Sequence, residues 1–335
     1  MFENIIGHEF QKNILLRAAR DGVVSHAYLF SGPGGVGKRL LAIEFAKLLN
    51  CVGAGAEKGG LCECGACRKI NKGIHPDVIT VQFAGAKNIK VDQIREEVEE
   101  KLFLKPFEGT FKVVIVDDSE RMNNSAQNAF LKTLEEPPSE SVIILVTSHP
   151  NSLLPTIRSR CQSLGFNPLG EKLIVDVLEK RGELSSEEAL LCSKLSGGSL
   201  GRALSLDKEI IEWRKELIVR LSALNKYSAS DVADLTDTVS DGASSDDTGR
   251  LEMAFQFIYL WLRDLVILKT GSGEITNTDL SGIIAGTAGK WRLDDLLDRQ
   301  RQLEKTWYDI FRTNANLKLA LENLFIKLAL SPSAL

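Results

Sequence analysis

The sequence predicts an α/β domain built on a parallel sheet, followed by an all-α region in two parts. Three observations predict it. Residues 112–116 and 142–146 are short, β-branched and almost wholly apolar, as strands buried on both faces of a parallel sheet are. Around them, apolar residues recur at three- and four-residue spacing, the signature of amphipathic helices. From about residue 168 the strand signal fades and helical periodicity alone continues. A length of 335 residues, with 44% apolar and 26% charged residues, suits two or three core-forming domains and excludes a single small module.

In chain order, residues 10–19 read as an amphipathic helix and 27–30 as a strand that runs into a Gly-rich turn. Helical periodicity resumes over 39–49, where Leu41, Phe45, Leu48 and Leu49 can bury one face. A cysteine cluster follows, then a short strand at 77–81 and a surface helix over 91–102. Residues 125–134 are helical in pattern and are stopped by Pro137 and Pro138. Past 168, residues 172–180 and 186–195 make a small helical unit, with Ser185 and Glu188 placed as a capping box and a glycine turn at 196–198. Val232, Leu235 and Val239 allow a short helix, and 241–249 reads as a hinge loop. Residues 251–330 are amphipathic helix, with Trp261, Trp291 and Trp307 as core or interface anchors. The predicted boundaries are 1–167, 168–207 and 208–335.

Charge and cysteine usage narrow the function. Forty-one basic against 45 acidic residues give a net charge of −4, which excludes DNA binding through bulk electrostatics. The N-terminus lacks the layout of a signal peptide, and the most apolar stretch, 255–268, is broken by Arg263 and Asp264. A soluble, cytoplasmic protein is expected, and in a reducing compartment a tight cysteine cluster holds a metal more often than it forms disulfides.

The segment Gly32-Pro33-Gly34-Gly35-Val36-Gly37-Lys38 follows a strand and opens a helix, the context of a phosphate-binding loop. Its glycines let backbone N–H groups converge on an anion, the helix N-terminus adds partial positive charge, and Lys38 offers a cation to the outer phosphates. The usual Ser or Thr that ligates Mg²⁺ is replaced by Arg39. Val113-Val114-Ile115-Val116-Asp117-Asp118 supplies the second element, a buried strand ending in a metal-binding acid. Asp117 is the positional match, while Asp118 is one methylene shorter than the Glu that orients water in many ATPases; the plainer alternative is two acids that end a strand and cap a turn. Thr147 and Ser148 end the next strand, where a hydroxyl could reach a γ-phosphate. Nucleotide binding, as ATP or ADP, is expected to be weak, Mg²⁺ poorly held and intrinsic ATPase activity slight or absent.

Cys51, Cys62, Cys64 and Cys67 are spaced C-x10-C-x-C-x2-C. Four thiolates suit a structural Zn²⁺ with no open position, the alternative being free thiols in a loop. Cys161 and Cys192 are isolated and read as core residues. The stretch 156–162 carries Arg158 and Arg160, and spacing alone reads them as solvated surface arginines on a polar segment leaving the sheet.

Taken in order, His26-Ala27-Tyr28-Leu29-Phe30, the phosphate loop, the cysteine knuckle, Leu131-Lys132-Thr133-Leu134-Glu135-Glu136-Pro137-Pro138 and Ser159-Arg160-Cys161 resemble the AAA+ clamp-loader family of bacterial DNA polymerase III. The similarity extends to Trp261-Leu262-Arg263-Asp264-Leu265 and to 314–320. It is greatest with the delta-prime branch, because the gamma/tau branch is expected to carry Lys-Thr or Lys-Ser and Asp-Glu where this chain has Lys38-Arg39 and Asp117-Asp118. The resemblance implies an AAA+ P-loop domain, a helical lid and a C-terminal helical collar. It further implies a place beside gamma/tau and delta subunits in a hetero-pentameric ring that loads a sliding clamp onto primed DNA, as a non-polymerising member of a nucleotidyltransferase complex. On this resemblance Arg160 becomes an arginine finger acting in trans, and Arg202 aligns with the sensor-2 arginine of the lid. Two other readings compete: an ATP-hydrolysing, gamma/tau-like motor, and a stand-alone DNA-binding module, which the net charge disfavours.

Overall fold

The computed structural model describes residues 2, 4–53, 62–81, 98, 100–224, 229–241, 249–313 and 315–329. The chain divides into two compact units, Met1–Ile174 with Gly198–Arg202, and Val175–Gly197 with Ala203–Leu335.

The first unit holds five strands: β1 (Ala27–Ser31), β2 (Val78–Val81), β3 (Lys112–Val116), β4 (Ser141–Thr147) and β5 (Gln162–Gly165). They pair in the order β2-β3-β4-β1-β5, and every pairing is parallel. Strand residues alternate between two separate cores, which explains why β3 and β4 read as unbroken apolar runs. Tyr28, Phe30, Val113, Ile115, Val142, Ile144 and Val146 point to one core. Ala27, Leu29, Val114, Val116, Ile143 and Leu145 point to the other.

Helices cover both faces. α1 (Glu9–Arg20) and α2 (Lys38–Asn50) contribute Leu15, Leu41, Ala42, Phe45 and Leu49 to the first core. After α3 (Gly65–Asn71) and the short α4 (Glu100–Leu102), α5 (Asn124–Glu135) contributes Ala126, Phe130 and Leu134 to the second. α5 is capped by the Asn123 side chain, which accepts from the Ala126 N–H at 2.8 Å. The helix expected over 91–102 lies outside the described residues apart from Val98 and 100–102, as does the hinge loop of 241–249 apart from its two ends.

Two of the elements that the sequence pattern does not announce lie beside the loop strand and in the cysteine knuckle. β5 pairs alongside β1, from Tyr28↔Gln162 to Ser31↔Gly165, so the segment read as leaving the sheet returns to it. Only Leu164 of its four residues is buried, so this edge strand has neither an apolar run nor an alternation to betray it. It follows α6 (Pro155–Arg158). α3 is the other, a short helix inside the cysteine knuckle whose N-cap is Cys64 itself.

α7 (Glu171–Arg181) precedes α8 (Ser186–Ser196), whose capping box is formed in both directions: Glu188 N–H to Ser185 Oγ at 3.3 Å and Ser185 N–H to Glu188 Oε2 at 2.8 Å. α8 ends at Gly197, which is left-handed. Cys192 is buried as expected, whereas Cys161 is half-buried at the margin of the second core. After α9 (Leu200–Ser205) the rest is helical: α10 (Lys208–Ala223), α11 (Ala229–Ser240), α12 (Gly249–Thr270), α13 (Ser281–Ala288), α14 (Leu293–Arg312) and α15 (Leu317–Ala329). Trp261 is fully buried and donates to Ser222 Oγ at 3.1 Å, and Trp291 lies 3.3 Å beneath the Arg299 guanidinium. Buried Asp264 accepts from the Thr276 and Asn277 amides, so the charged residue that breaks the most apolar stretch is fully satisfied. Among the described residues no helix is long and apolar enough to cross a membrane.

Candidate functional site

The sheet order sets β1 between β4 and β5, so the loop after β1 opens beside the carboxyl ends of β3 and β4, where open parallel sheets bind ligands. Ser31 faces Thr147 and Val116 faces Leu145, which brings the phosphate loop, Asp117 and Ser148 to one edge. Gly32 N–H donates to the Thr147 carbonyl at 3.2 Å. α2 begins at Lys38 with Gly37 as its N-cap, and no side chain caps its first turn, which leaves those amides to an anion.

Gly34 and Gly37 complete the turn, and Gly35 is held by what lies above it. Its φ is +72°, and a Cβ there would stand 2.4 Å from Ser199 Oγ. Gly201 N–H donates to the Gly35 carbonyl at 2.8 Å, and a Cβ on Gly201 would come within 3.1 Å of Gly35 Cα. Two glycines are therefore required for the backbone that carries Arg202 to seat on the phosphate loop. Arg202 stands in the first turn of α9, its N–H donating to Ser199 Oγ at 3.3 Å.

Lys38 is buried and donates to the Gly32 and Pro33 carbonyls, both at 2.6 Å, with Ser148 Oγ at 3.4 Å. Burial pushes its pKa below the usual lysine range, against the pull of Glu120, Asp117 and Asp118. The hydroxyl facing Lys38 is thus that of Ser148; Thr147 Oγ1 accepts from the His149 N–H at 3.0 Å.

Asp117 pairs with Arg39, Nε to Oδ2 at 3.4 Å. Burial and the neighbouring Asp118 raise its pKa, and Arg39 draws it partly back. Asp118 adopts a left-handed conformation, φ 45°, and its exposed carboxylate lies 3.7 Å from Arg121. A third acid enters in its place. Glu120, nearly buried, accepts from the Ser148 N–H at 3.2 Å and meets His149 Nδ1 at 3.4 Å. Burial raises its pKa, and these hydrogen bonds, with one from Thr147, outweigh burial and hold it below the usual glutamate range. Sequence reasoning missed Glu120 because the residue sits past the strand end, and only the turn at Asp118 and Ser119 swings it back.

Arg160 does not join this group. Its guanidinium pairs with Glu135 at 2.6 Å and donates to the Thr156 carbonyl at 3.0 Å, at the partly exposed end of α6.

The cysteines do come together. The sulfurs of Cys51, Cys62, Cys64 and Cys67 all lie within 4.8 Å of one another, with Cys51 and Cys64 at 4.0 Å. A tetrahedral zinc with bonds of about 2.3 Å sets its sulfurs about 3.8 Å apart, so the donor set fits. Burial raises the Cys64 thiol, and hydrogen bonds from the Cys67 backbone and side chain reverse that, drawing it down to about 6. The Cys67 N–H reaches Cys64 Sγ at 3.5 Å from the first turn of α3, a contact suited to a thiolate ligand.

The knuckle is tied to the sheet through buried Asp77, which accepts from the Phe107, Glu108 and Gly109 amides at 2.8 Å each. Glu108 in turn binds Lys69 of α3 at 2.5 Å.

Residues 7–170 match the family described as DNA polymerase III, delta subunit. The chain is 32% identical over 320 residues to the delta' subunit of Pseudomonas aeruginosa, covering 92% of this chain and 93% of that one. It is 34% identical over 296 residues to the tau subunit of Bacillus subtilis, covering 81% of this chain and 51% of that one, so it spans about half the length of the tau relative. Among solved structures it overlays a gamma subunit-related protein of Thermotoga maritima with a TM-score of 0.45 and 21% identity, covering 94% of this chain and 98% of that one.

Proposed function

The chain belongs to the DNA polymerase III clamp-loader family, and on that premise we propose that it is the delta-prime-type stator of a loader, a subunit that lends one arginine to a neighbour and turns over little ATP itself. The carrying observation is the pairing of Arg39 with Asp117, the residue replacing the metal-binding hydroxyl engaging the metal-binding acid. Asp118, turned toward Arg121, is not placed to orient water for attack. Backbone amides and Lys38 still form an anion-binding loop, so ATP or ADP binds weakly without efficient hydrolysis.

Arg160 is the arginine finger in this reading. It is partly exposed and detached from its own chain's loop, as a group that serves another subunit must be. Arg202 seats on the loop through Gly201 and contacts nucleotide there. Zn²⁺ on Cys51, Cys62, Cys64 and Cys67 is structural and would stabilise the knuckle. Residues 168–207 act as a lid and 208–335 as the collar. The partners are gamma/tau and delta subunits in a five-membered ring, and the sliding clamp and primed DNA are met through that assembly in the cytoplasm. Mixing the chain with gamma/tau and delta partners, and following complex formation with ATP turnover, tests the reading: a complex that forms and hydrolyses ATP while the chain alone does not supports it. Hydrolysis by the chain alone would favour a gamma/tau-like motor.

A further inference from the structure

A phosphate loop that works with Mg²⁺ presents a hydroxyl after its lysine and an acid at the end of the adjacent strand. The residues here do not fit that ion. A guanidinium has five donors and no lone pair, so Arg39 cannot be a ligand, and its Nε lies 3.4 Å from Asp117 Oδ2. It takes the carboxylate a metal would use and sets a positive charge in the metal's place. The remaining acids do not compensate. Asp118 faces Arg121, and Glu120 holds the Ser148 amide and His149 while its charge also acts on Lys38. Mg²⁺ demands near-octahedral oxygen ligands and sheds water reluctantly, so this surrounding disfavours it.

We propose that the site takes free ADP or ATP, not complexed with a divalent cation, and that Arg39 supplies the charge that Mg²⁺ supplies in related loops. The inference rests on the reading of residues 32–38 as a nucleotide loop. Lys38 and Arg39 are consecutive at the start of α2, so both cations share the end of the helix where the anion-binding amides lie. The Arg39 side chain is 45% exposed and its ion pair is a single long contact, so it can turn from Asp117 to a diphosphate oxygen. Guanidinium and phosphate pair bidentately, a geometry that ammonium groups do not offer. Asp117, released from Arg39, retains Lys38 as a neighbouring charge. Nucleotide held in this way is retained as a structural ligand, because the charge neutralisation that drives phosphoryl transfer is only partly supplied.

Calorimetric titration of the full chain with ADP and with ATP, first in excess EDTA and then in excess Mg²⁺, tests this. In excess Mg²⁺ most of the nucleotide is the Mg²⁺ complex, so the unaltered chain is expected to bind several-fold more weakly there than in EDTA, and Arg39→Ser to weaken binding in EDTA by roughly tenfold, with Mg²⁺ restoring part of the loss. Binding by the unaltered chain that is as tight in Mg²⁺ as in EDTA, or tighter, overturns the inference while leaving the nucleotide loop in place. Arg39→Ser that binds in EDTA as well as the unaltered chain also overturns it. Absence of binding in both buffers overturns the nucleotide reading itself, and the inference falls with it. Arg39 is a surface side chain, so the variant is expected to fold, and an unchanged thermal melt confirms that.

Discussion

Arg160 and Glu135 form an ion pair at 2.6 Å between the end of α6 and the end of α5, two elements of the same unit. A finger that serves a neighbour's nucleotide must leave this partner. Side chains exposed by 36% and 50% make the exchange easy, since such pairs contribute about 0–1 kcal/mol. Glu135→Gln is therefore expected to leave thermal stability nearly unchanged and to maintain or raise ATP turnover in the assembled loader. A melting temperature that falls by many degrees would show that the pair is structural.

Chelation or loss of one knuckle cysteine is expected to unsettle the segment around α3. The purified protein should carry one zinc per chain by elemental analysis. Cys67→Ser should abolish that zinc and lower the melting temperature, because Cys67 is buried and its thiolate completes the four-ligand set. Zinc-free protein from zinc-replete growth would contradict this.

Asp77 gives an acid-dependent stability. Burial alone would raise its pKa, and the three amides with Lys112 outweigh burial and hold it below the usual aspartate range. Its folded pKa lies below its unfolded value of about 3.9, so its stabilisation is present above that pH and is lost as pH falls through the folded value. Asp77→Asn is expected to cost about 1–3 kcal/mol at neutral pH and to flatten the acid limb of the stability curve, measured by urea unfolding at several pH values. Equal acid sensitivity of the two proteins would contradict it.

The contact of Gly201 with Gly35 is a lever on the loop. A methyl group at 201 meets Gly35 Cα and O at 3.1 Å, both backbone atoms that cannot rotate away. Gly201→Ala is expected to weaken nucleotide binding several-fold with a small loss of stability. Unchanged affinity would mean that the 198–202 segment does not shape the site.

Much of this was legible in the sequence, for physical reasons that differ by element. β3 and β4 are buried on both faces, so their apolar runs stood out, and the Ser185–Glu188 capping box declared itself by spacing. β5 carries one buried residue, and its place is set by pairing with β1, a contact that no local pattern encodes. Arg39 is legible as a departure from the usual pattern and Asp117 as a match to it, but the pair they form depends on sheet order, across 78 positions of chain from 39 to 117. Glu120 and the Gly201–Gly35 bond were invisible for the same reason: backbone turns and long-range packing bring them to the loop.

Steady-state ATP turnover by the loader reconstituted with gamma/tau and delta partners, using either the unaltered chain or Arg160→Ala, tests the trans role most directly. The isolated chain is expected to hydrolyse no ATP above background. The Arg160→Ala complex is expected to assemble fully and to lose the turnover of the nucleotide site that Arg160 serves, where an arginine finger is worth about 10³–10⁵ in rate. Full turnover and clamp loading by an assembled Arg160→Ala complex would contradict it.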